Sequence, residues 1–202
     1  QKSITIDDVM NSAVVASPLK LYDCCPFSDG ASSLVLCSEK FAKAHGGDYV
    51  EVIGSGRGGS PAALQGREHM TTIPSTKIAA KAAYDMAGIT ARDIDFAEVH
   101  DCFTIAEVVD TEDLGFFAKG QGIQAIREDR TKLNSDISIN PSGGLKSKGH
   151  PIGATGVGQV VEVFDQLTGK AGARTVKDAK IGLTHNFGAT GASCAVHVFQ
   201  SV

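Results

Sequence analysis

Three short stretches concentrate the residue types that do chemistry. Asn140-Pro-Ser-Gly-Gly-Leu-Lys-Ser-Lys-Gly-His-Pro-Ile-Gly-Ala-Thr-Gly-Val-Gly158 is dense in glycine and carries one histidine, His150. Glycines at 143, 144, 149, 153, 156 and 158 let the backbone take positive φ and let other groups approach closely. An apolar repeat at helical spacing follows (Val157, Val160, Val161, Phe164, Leu167), so His150 is expected just before a helix N-terminus, whose dipole favours the neutral, proton-accepting imidazole. The second stretch, His100-Asp-Cys-Phe103, follows a predicted strand and precedes a helix that Thr104 is expected to cap. Cys102 then lies at a helix mouth where a thiolate is favoured, and such a thiol can take and return a proton. Three ionisable groups in a row (His100, Asp101, Cys102) are costly after a strand unless they are used. In the third, His185-Asn-Phe-Gly-Ala-Thr-Gly191, Asn186 and the glycines 188 and 191 offer N–H donors able to stabilise an oxyanion. Each has a blander counterpart: a surface histidine in a tight loop, a small buried hydrophobe, and an ordinary hairpin turn.

The surrounding elements bring these stretches together. Residues 49–53, 94–99 and 179–184 read as strands, with 193–199 as a closing hairpin partner. A helix over 75–86, capped by Ser75 and stopped by Gly88, places Ala79, Ala82, Ala83 and Met86 on one face. Thr90 opens a one-turn capping box, Thr104 a helix that Gly115 ends, and residues 116–139 form a surface excursion with a short helix near 123–127. Near the start, Thr5 can open a helix, 13–16 a short strand, 31–36 a strand, and Ser38 a helix through His45. Strands alternating with helices and ending in a strand pair make this α/β with a mixed sheet, in which turns after strands gather along one edge. Gly30-Ala-Ser-Ser-Leu-Val-Leu36 and Gly191-Ala-Ser-Cys-Ala-Val-His197 echo one another, as two copies of one fold would.

Composition narrows the function classes. The 202 residues are 42% apolar, with 19 basic and 23 acidic side chains for a net charge of −4, leaving no basic excess to neutralise nucleic-acid phosphates. No apolar run reaches membrane-span length. The five cysteines (24, 25, 37, 102, 194) have no CxxC spacing, which suggests neither a metal site nor a disulfide framework and fits a reducing cytoplasm. The chain opens on Gln1, and the expectation is a fragment or processed product of a longer polypeptide. Gly54-Ser-Gly-Arg-Gly-Gly59 matches GxGxxG, but Gly66 interrupts the helix that should follow, and the stretch near position 79 has no acidic residue for a ribose. There is no GxSxG elbow, HExxH or P-loop.

Taken together, Asn140-Pro-Ser-Gly-Gly144 followed by Gly-His-Pro-Ile-Gly-Ala-Thr-Gly156 resembles the histidine loop of thiolases. His100-Asp-Cys-Phe103 resembles the variant of their sterol-carrier-protein-type and archaeal branch, where most thiolases carry Asn-Glu-Ala-Phe. Ser28-Asp-Gly-Ala31 and the Asn-x-Gly turn at 186–188 fit as well, so the resemblance covers essentially the whole chain. It implies a thiolase-like fold of two βαβαβαββ halves in α-β-α-β-α layers, with 1–47 as the end of the first half and 48–202 as the second. It implies an acetyl-CoA acetyltransferase: Claisen condensation of acetyl-CoA, or thiolytic cleavage of 3-ketoacyl-CoA. Coenzyme A thioesters would be the substrates, with no bound cofactor and no metal. In that scheme His150 helps activate a nucleophilic cysteine and donates to the thioester oxygen, and Cys102 exchanges the α-proton. His100 completes a first oxyanion hole, the Gly188 N–H belongs to a second, and Asn186 stands where common thiolases have their acid/base cysteine. The nucleophilic cysteine of the family lies upstream of everything in this chain, and segment 57–74 departs from the pattern beside the CoA site. The resemblance further implies a homodimer or tetramer and, as for some archaeal relatives, an OB-fold, zinc-ribbon partner protein. A degradative thiolase for longer or branched chains and a non-catalytic thiolase-like scaffold are the rival readings.

Overall fold

The structure is a computed structural model that describes residues 3–202; Gln1 lies outside the described residues. In chain order the elements are α1 (Ile6–Met10), β1 (Val14–Ala16), β2 (Leu19–Lys20), α2 (Glu39–His45), β3 (Val50–Gly59), α3 (Pro74–Ala87), β4 (Phe96–Glu98) and α4 (Thr104–Asp113). They continue with α5 (Gly122–Arg127), β5 (Ser138–Ile139), α6 (Gly144–Lys148), α7 (Thr155–Leu167), β6 (Ile181–Gly188) and β7 (Ser193–Ser201). β1 and β2 form a small exposed hairpin, and the other five strands make one sheet in the order β3-β7-β6-β4-β5. β7 runs antiparallel to both β3 and β6, while β4 lies parallel to both β6 and β5, so the sheet is mixed as expected. No helix among the described residues is long and apolar enough to cross a membrane.

The sheet is buried on both faces. Ala79, Ala83, Val99, Leu183, Val196 and Val198 pack on the side of α3, and Phe96, Val163, Val176 and Phe199 on the side of α7. β6 divides its side chains between the two faces with the period of two that a strand imposes. His185 thereby meets Thr76 of α3, whereas Asn186 meets Gln159 of α7.

The glycines of the GxGxxG stretch have a different use from phosphate binding. They lie inside β3, in register with β7 (Gly54↔Val198, Gly58↔Cys194), so no phosphate loop forms. A Cβ at Gly54, Gly56 or Gly58 would stand 2.4, 2.0 or 1.9 Å from the carbonyl oxygens of Ala83, Ala79 and Ser75. The backbone of α3 therefore rests directly on that of β3. This seat turns the helix slightly from the expected face: Ser75, Thr76, Ala79, Ala80 and Ala83 are buried, while Ala82 and Met86 are exposed.

Other expectations are corrected by pairing. Residues 31–36 form no strand, because none among the described residues pairs with them, and Val35 and Leu36 stand in solvent. The echo with 191–197 thus relates an irregular segment to β7. The stretch 185–191 is mostly strand, since β6 keeps its ladder to β7 as far as Gly188↔Ser193. Ser75 does not cap α3, which Pro74 opens at its first turn; its hydroxyl donates instead to the Gly191 carbonyl (2.6 Å). Thr104 is the first helical residue of α4, and its hydroxyl donates to Asp23 (3.0 Å).

The face of α7 also differs from expectation. Its buried residues are Thr155, Gln159, Glu162, Val163 and Gln166, a stripe that is mostly polar. Burial of these groups is tolerable because each is satisfied. Glu162 pairs with Arg174 (2.9 Å), and Gln166 accepts from Val176 N (2.8 Å) and donates to the Arg174 carbonyl (2.9 Å). Val160, Val161 and Phe164 of the predicted stripe line an open groove of about 1110 Å³ shared with residues 33–37 and α2.

Candidate active site

β4 ends at Glu98, and the chain turns through His100, Asp101 and Cys102 into α4. The glycine-rich stretch is not one long loop but a turn, the short helix α6 and a second turn carrying His150 into α7. Asn140, with φ +50°, joins the two stretches: its N–H donates to Ala97 O and its Oδ1 accepts from Val99 N, both at 2.8 Å. Glu98, fully buried, accepts from Ser142 N (3.0 Å), Ser142 Oγ (2.6 Å) and Lys148 Nζ (3.3 Å). Asp101 accepts from Leu145 N (2.7 Å) and Lys146 N (3.4 Å). Gly144 makes that last contact possible, since its φ is +65° and a Cβ there would overlap the Asp101 carboxylate. Asp101 is thus a clamp between loops.

A strap of residues 22–28 crosses both stretches. Cys25 N donates to Cys102 O (2.9 Å), His150 N donates to Pro26 O (3.0 Å), and Lys146 Nζ reaches Tyr22 O (2.7 Å). Phe27 bridges His150, and a Cβ on Gly149 would strike Ser28.

Held this way, His100 and His150 meet edge to face, with ring centroids 5.0 Å apart and planes at 84°. Their hydrogen-bond partners assign their protons. Gln159 Nε2 faces two carbonyl oxygens, Glu98 O (3.3 Å) and His185 O (3.1 Å), so it is the amide nitrogen that points there. Its Oε1 accepts from Asn186 Nδ2 (3.2 Å), which also donates to His100 Nδ1 (3.0 Å). His100 therefore carries its proton on Nε2. On the other ring, Thr155 donates its one hydroxyl proton to Pro151 O (3.1 Å) and accepts from His150 Nδ1 (2.7 Å). That leaves His150 Nε2 as a bare lone pair. The site presents one imidazole as donor and its neighbour as acceptor.

Burial, and then the neighbouring His150, push the His100 pKa down to about 4, so this ring is neutral at pH 7. Burial also lowers that of His150, against an opposing pull from Asp101. The direction is the expected one, and burial is its leading cause. Cys102 departs from expectation. Burial against the core, followed by the charges of Asp110, Cys25 and Asp101, raises its pKa to about 12. α4 begins only at Thr104, and Cys102 N is already bonded to His100 O (2.8 Å), so the helix end does little for the thiol. Gly188 ends β6, exposed, with open space where a Cβ would be. Gly191 closes the turn at φ +91°, where a Cβ would meet Ile73 and Arg67.

Two features behind the histidines were not singled out in the sequence. Gln159 and Thr155, one turn apart on α7, orient His100 and His150 respectively; a polar stripe at helical spacing beside the apolar one was the available signal. His185, fully buried, sets Nε2 2.9 Å from Thr76 Oγ1 and Nδ1 3.5 Å from Asp110 Oδ2. Burial drives the His185 pKa down to about 3, so this ring is neutral at pH 7, and pushes that of Asp110 well above the ordinary carboxylate value. Phe187 lies against both His185 and His100, with ring centroids 5.7 and 4.6 Å away.

This mixed sheet, with histidine-bearing turns at its strand ends, defines a thiolase-type domain. Residues 56–201 match the family described as thiolase C-terminal domain-like, and the chain belongs to the thiolase family. It is 48% identical over 197 residues to the acetyl-CoA acetyltransferase of Methanothermobacter thermautotrophicus, covering 98% of this chain and 51% of that protein. With the Methanocaldococcus jannaschii acetyl-CoA acetyltransferase it shares 38% identity, covering 98% and 52% of the two chains. With human sterol carrier protein 2 it shares 39%, covering 95% and 36%. The chain spans about half the length of the acetyltransferases and 36% of the sterol carrier protein. Among solved structures, the Ltp2–ChsH2(DUF35) aldolase superposes with a TM-score of 0.86 at 22% identity, covering 98% of this chain and 51% of that one, a likeness of fold.

Proposed function

We propose that this chain supplies the acid/base and oxyanion groups of a CoA-dependent thiolase of the acetyl-CoA acetyltransferase type. The observation that carries the reading is the pair of edge-to-face histidines with opposite proton positions. In this scheme a cysteine outside the chain attacks acetyl-CoA, and His150 Nε2 takes its proton. His100 Nε2–H stabilises the charge that builds on a thioester oxygen. Cys102, held as the thiol, gives its proton to the departing CoA thiolate, and the thiolate it becomes is a strong base. It recovers a proton from the α-carbon of the second acetyl-CoA, whose carbanion attacks the acyl-enzyme and expels the nucleophilic cysteine. The Gly188 N–H belongs to the donor set at the end of β6, whereas Asn186, whose amide protons go to Gln159 and His100, acts there through His100. Names of the archaeal relatives support the acetyltransferase assignment, and a degradative thiolase would use the same steps in reverse. A homo-oligomer and an OB-fold, zinc-ribbon partner belong to the same proposal, which co-purification tests.

In the complete native polypeptide, Cys102→Ala and His150→Ala should each lower acetoacetyl-CoA thiolysis by more than about tenfold. Near-native turnover in both variants would favour a non-catalytic scaffold.

A further inference from the structure

We infer that Gln159 is a positioning residue that sets the His100 tautomer through Asn186. Each link in this chain of amides has a single permitted orientation. Turning the Gln159 amide over would set its oxygen against the carbonyls of Glu98 and His185, two acceptor–acceptor contacts inside a fully buried site. With Gln159 so fixed, Oε1 is available only to a donor, and turning Asn186 over would confront it with another oxygen. The Asn186 amide nitrogen thus remains between Gln159 and His100, and His100 Nδ1 can only accept. The proton is forced to Nε2. Because Asn186 occupies a strand with both neighbours laddered to β7, its backbone cannot rotate to find another partner.

The catalytic consequence rests on the functional reading above: a donor at Nε2 serves an oxyanion, whereas the other tautomer would present a lone pair to the developing charge. The tautomer itself does not rest on that reading.

Nitrogen NMR of histidine-labelled complete polypeptide at neutral pH tests the inference, with His100→Gln assigning the His100 signals. Native protein should show a bare Nδ1 and a protonated Nε2. In Gln159→Met the Asn186 amide loses its acceptor, so both His100 tautomers should appear, with kcat about tenfold lower and KM within about twofold of native. In Asn186→Asp the carboxylate accepts from Nδ1–H, and the opposite tautomer should dominate. A native ring protonated on Nδ1, or a folded Gln159→Met protein that keeps only the native tautomer, would overturn the inference. Should Gln159→Met not fold, Asn186→Asp decides alone, and retention of Nε2–H there overturns it. The expected tautomers in a protein devoid of thiolysis would sustain this inference and sink the functional proposal instead.

Discussion

α3 and α7 cover opposite faces of one sheet by opposite means. α3 lies backbone on backbone along a glycine groove in β3, and its buried face is alanine, serine and threonine. α7 meets the sheet through side chains, with a polar stripe beside Val163, and two of the polar ones orient the histidines. Close approach leaves no room for functional groups, whereas a helix held off by hydrogen-bonded side chains can hand those side chains to a site. The support and the chemistry are thus divided between the two helices.

Gly56→Val tests the seat of α3 and should have the largest effect. Its first added carbon would meet the Ala79 carbonyl oxygen at 2.0 Å, so the variant should lose about 4 kcal/mol or more, or fail to fold, in chemical denaturation. Normal stability there would erase the distinction between the two contacts.

A pH titration probes the site beside α7. The folded His100 pKa, about 4, lies below the unfolded value of 6.5, so the unfolded chain binds more protons between these values. The contribution from the neutral buried ring is complete above 6.5 and is lost as pH falls towards 4. Other buried groups titrate too, so the informative quantity is native stability minus that of His100→Gln. It should be flat above 6.5 and fall by about 1.4 kcal/mol per pH unit below it. A flat difference throughout would mean that His100 is solvated.

The smallest expected effect is at a glycine of α7. Nothing lies within 4 Å of a Cβ added at Gly158, and its φ is not positive, so Gly158→Ala should stabilise the fold by about 0.5–1 kcal/mol. Destabilisation measured the same way would show that α7, too, needs close approach.

Much of the fold was legible because its signals are local. Gly88 and Gly115 stop helices with positive φ, Thr5 opens a helix, and Thr90 forms the capping box its sequence suggests. What failed was non-local. Residues 31–36 have the composition of a strand, but a strand exists only where a partner accepts its hydrogen bonds. The apolar repeat of α7 masks the polar stripe beside it, whose burial depends on partners distant in sequence: carbonyls of β4 and β6 for Gln159, and Arg174 and Val176 for Glu162 and Gln166. His100, His150 and Asn186 were legible as candidates from their own turns. Where their protons sit was not, since that depends on Gln159 and Thr155 in the assembled fold. Cys102 was misjudged for the same reason: its neighbours in sequence suggest a helix end, while its neighbours in space are a hydrophobic core.

The strap of residues 22–28 has a dynamic consequence. Because one segment bonds to Cys102 on one side and to His150 on the other, the two histidine-bearing turns are not independent spring elements. Lifting the strap removes a backbone hydrogen bond from each turn at once. The amides of Cys25 and His150 should therefore exchange with solvent at matched rates, as one cooperative unit, even though 125 positions separate them in the chain.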